Sequence, residues 1–308
     1  MLAELFYWVM NMSILASLAG AAVLLLRKIR GLPRRFTQFL WLLPLLRMWI
    51  PVGMSSRYSL MTLISTLFTK IKTVYLPVQG DFGEHVGMTN SMQWAESYFP
   101  LIIKEPLLED ILFYSSILWA AVGLSLLGIY GFLYCSSQRA VLAGAEQDFS
   151  GVYFSQKVSS PAVYGILKPK IVLPVSYRER ELSLILLHEQ THIKRKDNLW
   201  RVIGFVTACV HWFNPLSWLF LRCFLQDLEL ACDETLLKRL SPEEQKDYAR
   251  TLLDAVQVRS AFASCFGGAG IGLRIRNILS YKRLSAFSCL CLALLLFAAG
   301  WVLLTNAL

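Results

Sequence analysis

Uncharged, largely apolar residues run from Leu5 to Leu26, LFYWVMNMSILASLAGAAVLLL, about the 20 residues that a bilayer core demands. Cations follow this run instead of preceding it, so an uncleaved anchor with its N-terminus outside is expected, not a signal peptide. Further apolar runs predict spans from Phe36 to Met54, from Ile111 to Cys135 and from Leu284 to Leu304. Arg47 interrupts the second run, and snorkelling or pairing within a helix bundle is expected of it. Between the third and fourth runs the pattern changes. FSGVYFSQK and PAVYGILKPKIVLP, within 149–174, predict short strands, the second folding at Lys168-Pro169-Lys170. A capping-box pattern, Ser176-x-x-Glu179, then leads into the apolar run Leu182 to Leu187 and predicts a helix.

Composition agrees with a membrane protein: 56% of residues are apolar and 17% charged. The net charge is +9, from 30 Lys and Arg against 21 Asp and Glu, and its placement reads as topology. RKIRGLPRR at 27–35 holds five cations and no acid. Placing it inside puts 55–107 outside and 136–283 inside, the latter with 20 cations and 14 acids. That excess of six is ordinary for a domain facing anionic lipid, so direct nucleic-acid binding is not expected. RYSLMTLISTLFTKIK, in the outer stretch, reads as an interfacial segment, with a re-entrant segment as a near-equal alternative. None of the seven cysteines forms a CxxC, which excludes a thiolate zinc knuckle.

The chemistry enters at His188-Glu189-Gln190-Thr191-His192. Residues four apart on a helix lie about 40° apart, so His188 and His192 can offer both imidazoles to one tetrahedral Zn²⁺. Glu189 then sits beside the metal and can shuttle a proton from water to a leaving amine. Two of only four histidines are used here, which argues against chance. A third ligand must come from Asp197, Asp227, Glu229, Asp233 or Glu234. Glu229 and Asp233 stand at i and i+4 on a second helical pattern, so one can ligate while the other bonds a ligand imidazole. Asp227 and Glu234 read as a solvated face. Residues 202–225 are long enough to cross a bilayer, but one crossing would carry Glu229 about 30 Å away from His192. The segment is therefore expected to turn back at Asn214-Pro215 as a helical hairpin. His211, before the break, reads as a packed histidine ahead of a ligand or a transition-state donor.

HEQTHIKRKDNL, HWFNPLSW and DLELACDE, in that order after GILKPKIVLP, resemble the BlaR1/MecR1-like membrane metallopeptidases, peptidase family M56. The resemblance covers nearly the whole chain. It implies four transmembrane helices with an inserted α+β gluzincin-like cytoplasmic metalloprotease domain, divided as 1–135, 136–283 and 284–308. It further implies Zn²⁺ on His188, His192 and Glu229, with Glu189 as base and Asp233 in support. The expected activity is a regulatory zinc endopeptidase acting on a protein substrate, with a BlaI/MecI-like repressor and self-cleavage in view. Membrane lipid and a second copy in a homodimer complete the expected partners. In the antibiotic-sensing members an outer penicillin-binding sensor follows the fourth span; this sequence stops at Leu308, so that sensor is not expected. A housekeeping protease resembling the Ste24/HtpX group is the rival enzyme. A non-catalytic transducer is the rival outside enzymes, and an intact Glu189 argues against it.

Substrate is expected to add as a strand along PAVYGILKPKIVLP, with Gly165 and Ile166 against the peptide. SAFASCFGGAGIG, from Ser260 to Gly272, is the expected self-cleavage loop. Lys194-Arg195-Lys196 reads as a solvated, lipid-facing cluster, Cys232 as a buried inert thiol, and Ser241-Pro242-Glu243-Glu244 as a helix start.

Overall fold

The computed structural model describes residues 1–29, 32–50, 58, 106–148, 151–178, 182–256, 270–281 and 286–304. Helices α1 (Leu2–Leu26), α2 (Arg34–Leu40), α3 (Leu42–Trp49) and α4 (Pro106–Ala143) precede four strands. These are β1 (Glu146–Gln147), β2 (Tyr153–Ser155), β3 (Ala162–Tyr164) and β4 (Lys170–Pro174). A 3-10 turn over Val175–Tyr177 leads to α5 (Ser183–Arg195), α6 (Asp197–Val210), α7 (Pro215–Leu237), α8 (Pro242–Val256), α9 (Ile271–Leu279) and α10 (Ala286–Leu304). Among the described residues, two helical stretches are long and apolar enough to cross a membrane, Leu2–Leu26 and Asp110–Ala143, and α10 holds a shorter apolar stretch, Leu290–Val302. The outer stretch expected at 55–107 lies outside the described residues, save Tyr58 and the start of α4.

The chain divides into two compact units. The first comprises Met1–Leu24, Leu42–Ala121 and Ser285–Leu308. Here α1 buries Met12, Ala16, Ala19 and Val23, a helical stripe, and Phe6 meets Trp119 with ring centroids 5.8 Å apart. Gly300 of α10 lies so close to α3 that a Cβ there would sit 3.5 Å from Leu43 Cδ2. The second expected span is not one continuous helix where it is described, because it breaks at Trp41 into α2 and α3. Pro44 explains the break: it has no N–H for the Leu40 carbonyl, and its ring would clash with that carbonyl. Arg47, on α3, is buried.

The second unit comprises Leu25–Trp41 and Val122–Leu284. Its sheet runs β1-β2-β4-β3, with β4 parallel to β2 and antiparallel to β3. Val172 is paired on both sides, to Tyr153 and to Ala162. The β3–β4 hairpin forms where the sequence predicts it, and Gly165 makes it possible. Its φ is +96°, and a Cβ there would lie 2.7 Å from the Lys168 carbonyl oxygen. Phe154, Ile171, Leu173 and Tyr177 form a core against which Leu182, Ile185 and Leu186 of the α5 segment pack. Each such fully buried apolar side chain stabilises by about 1.5–3 kcal/mol.

Helix α5 does not start at Ser176. Pro174 is extended and Val175–Tyr177 form a separate 3-10 turn, after which α5 begins at Ser183 with no side-chain cap; Glu179 lies outside the described residues. The buried Tyr177 ring holds that turn to the sheet core and so separates it from the helix. Lys196, in the left-handed region at φ 57°, ends α5 and turns the chain directly into α6. At the other end of α6 the hairpin turns where Asn214-Pro215 predicts: Asn214 Oδ1 accepts from Leu216 N at 3.0 Å, and Pro215 takes the first helical position. Gly204 lets α6 and α7 approach, since a Cβ there would meet Leu221 Cδ1 at 2.9 Å. Ser241 and Glu244 cap α8 reciprocally, at 2.7 and 3.3 Å.

Asp227 and Glu234 do not face solvent. Asp227 accepts from Arg27 Nε at 2.8 Å and Trp41 Nε1 at 2.8 Å, and Glu234 accepts from the backbone amides of Arg34 and Arg35 at 2.8 and 3.1 Å. The sequence reading fails here because cations and amides almost two hundred residues earlier in the chain supply the partners. Arg195 likewise turns inward from the exposed Lys194 and Lys196, drawn by Asp197.

Candidate metal centre

Helix α5 turns His188, Glu189 and His192 inward, all buried, while Lys194 stays exposed. The two imidazoles face each other through Nε2, 3.1 Å apart, with their rings nearly perpendicular at 82°. Tetrahedral zinc with bonds of about 2.0–2.1 Å to nitrogen would hold two such atoms about 3.3 Å apart, so the pair fits that ion. The far nitrogen of each ring has its own partner. His192 Nδ1 lies 2.6 Å from Asp197 Oδ2, and His188 Nδ1 lies 2.9 Å from the Tyr248 hydroxyl. Such outer bonds fix ring orientation and raise the basicity of the inner nitrogen.

Helix α7 brings two candidates for a third donor. Glu229 Oε2 stands 3.7 Å from His192 Nε2, and its other oxygen accepts from Arg201 Nη2. Cys232 comes from the same helix, and the ligand atoms of His188, His192 and Cys232 all lie within 4.8 Å of one another. Its Sγ, however, is 3.8 Å from His188 Nδ1, the nitrogen that Tyr248 already engages and not the one that faces His192.

Asp233, one turn beyond Glu229, does not bond an imidazole at hydrogen-bond distance; its Oδ1 is 3.6 Å from His188 Nδ1. It accepts instead from the Tyr248 hydroxyl at 2.6 Å and holds Arg274 of α9. Arg274 reaches further, with Nη2 3.3 Å from His188 Nε2 and Nη1 3.9 Å from Glu229 Oε2. Three residues to which the sequence pattern gave no place in the site stand around it, Arg201, Tyr248 and Arg274, and a fourth, Asp197, weighed there only as a third ligand, instead bonds a histidine from outside. Asp197 stands five positions after His192 and two after Arg195, and that spacing was the one local signal. Tyr248 and Arg274 arrive by tertiary folding alone.

Burial and these neighbours set the titrations. Burial pushes the Glu189 carboxyl up, against the pull of His192, which suits a group that must exchange a proton. Burial, then His192 and Arg274, hold His188 well below the usual histidine range. At His192 burial acts downward, but Cys232, Glu229 and Asp197 outweigh it and raise the imidazole well above that range. Glu229 is held well below the carboxylate range, because His192, Arg201 and Arg274 outweigh its burial. Burial raises the Cys232 thiol, as expected of an inert one.

Gly165 and Ile166 follow β3, one of the two outer strands of the sheet, and the Asn198 side-chain amide reaches that strand end, donating to Val163 O at 3.0 Å and Gly165 O at 2.9 Å. His211 follows α6 and is buried beside Phe213. The loop expected to be cut lies outside the described residues up to 269; Gly270 precedes α9 and Gly272 belongs to it.

A family model described as BlaR1 peptidase M56 matches residues 7–272. Regulatory protein BlaR1 of Bacillus licheniformis is 28% identical over 127 residues, which cover 40% of this chain and 21% of that protein. The methicillin resistance mecR1 proteins of Staphylococcus aureus and Staphylococcus epidermidis are each 29% identical over 113 residues, 35% of this chain and 19% of theirs. The chain thus aligns with about a fifth of the length of these relatives.

Proposed function

Since this chain belongs to the BlaR1 peptidase M56 family, we propose that it is an integral-membrane zinc endopeptidase that cuts a regulatory protein substrate on the cytoplasmic side. One observation carries the reading: two buried imidazoles face each other at 3.1 Å, with a carboxylate of the neighbouring helix beside them. His188, His192 and Glu229 hold the metal, and Glu229 is preferred to Cys232 because its carboxylate stands 3.7 Å from His192 Nε2 and is held charged, whereas burial pushes the Cys232 thiol up, away from the thiolate that a metal needs. Zinc, when bound, supplies a Lewis acid and makes a water acidic enough to attack near neutral pH.

The chain's own groups do the rest. Glu189 takes the proton of the attacking water and gives it to the leaving amine. Arg274, fixed by Asp233, presents a positive charge beside the cage and steadies negative charge on the peptide oxygen. Asp197 and Tyr248 orient the two imidazoles. The outer edge of β3, with Gly165 and Ile166, takes the substrate as an added strand, and Val163 O and Gly165 O can each accept a second bond beside Asn198.

Residues 136–283 are the cytoplasmic protease domain in this reading, on the strength of the charge asymmetry along the chain. The names of the relatives, a regulatory protein and methicillin resistance proteins, support a regulatory role, and a BlaI/MecI-like repressor is the substrate that the sequence resemblance suggests. The test is metal content and peptide cleavage of the purified full chain against its Glu189→Gln variant. Zinc in both with cleavage in the wild type alone is expected; a wild type without zinc would end the reading.

A further inference from the structure

The stretch from Arg27 to Trp41 follows the first apolar helix and belongs to the same compact unit as the metal cage. Helix α7 grips it from one side. Asp227 takes Arg27 and Trp41, Gln226 Oε1 accepts from Arg27 Nη2 at 2.9 Å, and Glu234 caps the first amides of α2. Within this arm Gln38 points at the other helix of the site, and its Oε1 accepts from Arg195 Nη2 at 2.5 Å. Arg195 in turn donates through Nε to both oxygens of Asp197, each at 3.2 Å, and through Nη1 to Thr235 Oγ1 at 3.1 Å. Asp197 is fully buried and bonds His192 Nδ1 at 2.6 Å.

We propose that Gln38 is a positioning residue for the metal ligand His192, acting through Arg195 and Asp197. The proposal rests on the reading of His188 and His192 as ligands. A guanidinium holds its plane only while its forked donors are met, and Gln38 and the Leu228 carbonyl, at 3.4 Å, are the acceptors of Nη2. Without Gln38 the side chain is free to tilt toward Leu228 and Thr235. Nε then leaves Asp197, whose buried charge loses its cation and whose grip on His192 Nδ1 changes with it. The arm is therefore part of the metal site, although none of its described residues bonds a ligand atom.

The test is zinc affinity of the full chain in detergent, measured by competition with a chromophoric chelator in the Glu189→Gln background, so that proteolysis plays no part. Arg195→Ala should weaken zinc on the order of 10-fold or more, as loss of an outer partner does, and Gln38→Ala about 3-fold or more. Gln38→Glu, which keeps the acceptor oxygen, should restore affinity. In the Arg195→Ala background, Gln38→Ala should add nothing further. Melting curves of the metal-free proteins separate lost positioning from lost folding. Full affinity in Gln38→Ala, or losses that simply multiply in the double variant, would overturn the proposal alone. No zinc in the Glu189→Gln parent would overturn the metal site and the proposal together.

Discussion

Asp233 holds Arg274 through two parallel bonds, Nε to Oδ2 at 2.8 Å and Nη2 to Oδ1 at 2.7 Å, and both residues are buried. Burial acts to discharge the guanidinium, but Asp233 and Tyr248 outweigh it and keep Arg274 charged. The pair joins α7 to α9 next to His188.

Removing one partner strands the other as an uncompensated buried charge. Asp233→Ala should therefore destabilise the fold by about 3–5 kcal/mol, read as a lower melting temperature in detergent. The double variant Asp233→Leu, Arg274→Met should recover much of that loss. A double variant as unstable as the sum of the singles would show that the two residues act independently.

The third ligand is tested by comparing Glu229→Ala with Cys232→Ser. Glu229→Ala and His188→Ala should each lower bound zinc by at least the 10-fold typical of lesser, outer partners. Cys232→Ser should keep the metal. If Cys232→Ser lost zinc while Glu229→Ala kept it, the donor set would be two histidines and the thiolate.

Gly165 is required by its own hairpin. Gly165→Ala forces a side chain into the left-handed region and against the Lys168 carbonyl, a cost of about 1–3 kcal/mol from backbone strain alone. Gly151 also has a positive φ, of +79°, but a Cβ there would meet no neighbour within 4 Å, so Gly151→Ala should cost less. Paired thermal melts decide, and equal losses would contradict the hairpin geometry.

Orientation follows from charge alone and is open to cysteine labelling. Substituted cysteines at Arg30 and Glu179 should be protected from impermeant reagents in intact cells, and one at Glu84 should react. Reaction at Glu179 would place the protease domain outside.

Self-processing is read by mass spectrometry of the wild type and the Glu189→Ala protein. A cut between Ser260 and Gly272 in the wild type alone is the expected result. The same fragments in both would assign the cut to another protease.

Sequence pattern carried the local features of this fold well. The HExxH helix, the β3–β4 hairpin and the turn at Asn214-Pro215 each rest on residues within a few positions of one another, and each is present. Features that depend on distant partners were out of reach. Asp227 and Glu234 look like any acids on a helix until Arg27, Trp41 and the amides of α2 are brought to them. Tyr248 and Arg274 sit in unremarked amphipathic stretches, and only the packing of α8 and α9 against the end of α7 points them at His188. The break at Trp41 was written in Pro44, but a proline near the middle of an apolar run is compatible with either a kink or a new helix.

Helix α7 carries its acids on two faces. At about 100° per residue, Asp227 and Glu234 fall within about 20° of each other, while Glu229 and Asp233 lie about 40° apart on a face roughly a third of a turn away. A single residue inserted or deleted between Asp227 and Glu229 would rotate Asp227 about 100° against Glu229, Asp233 and Glu234 together, so the arm could not keep both Asp227 and Glu234 while the cage kept its acids. The seven-residue interval from Asp227 to Glu234 should thus refuse changes in length. The turns on either side of the helix, at 211–214 and 238–241, have no such constraint, and length variation between related chains is expected to collect there.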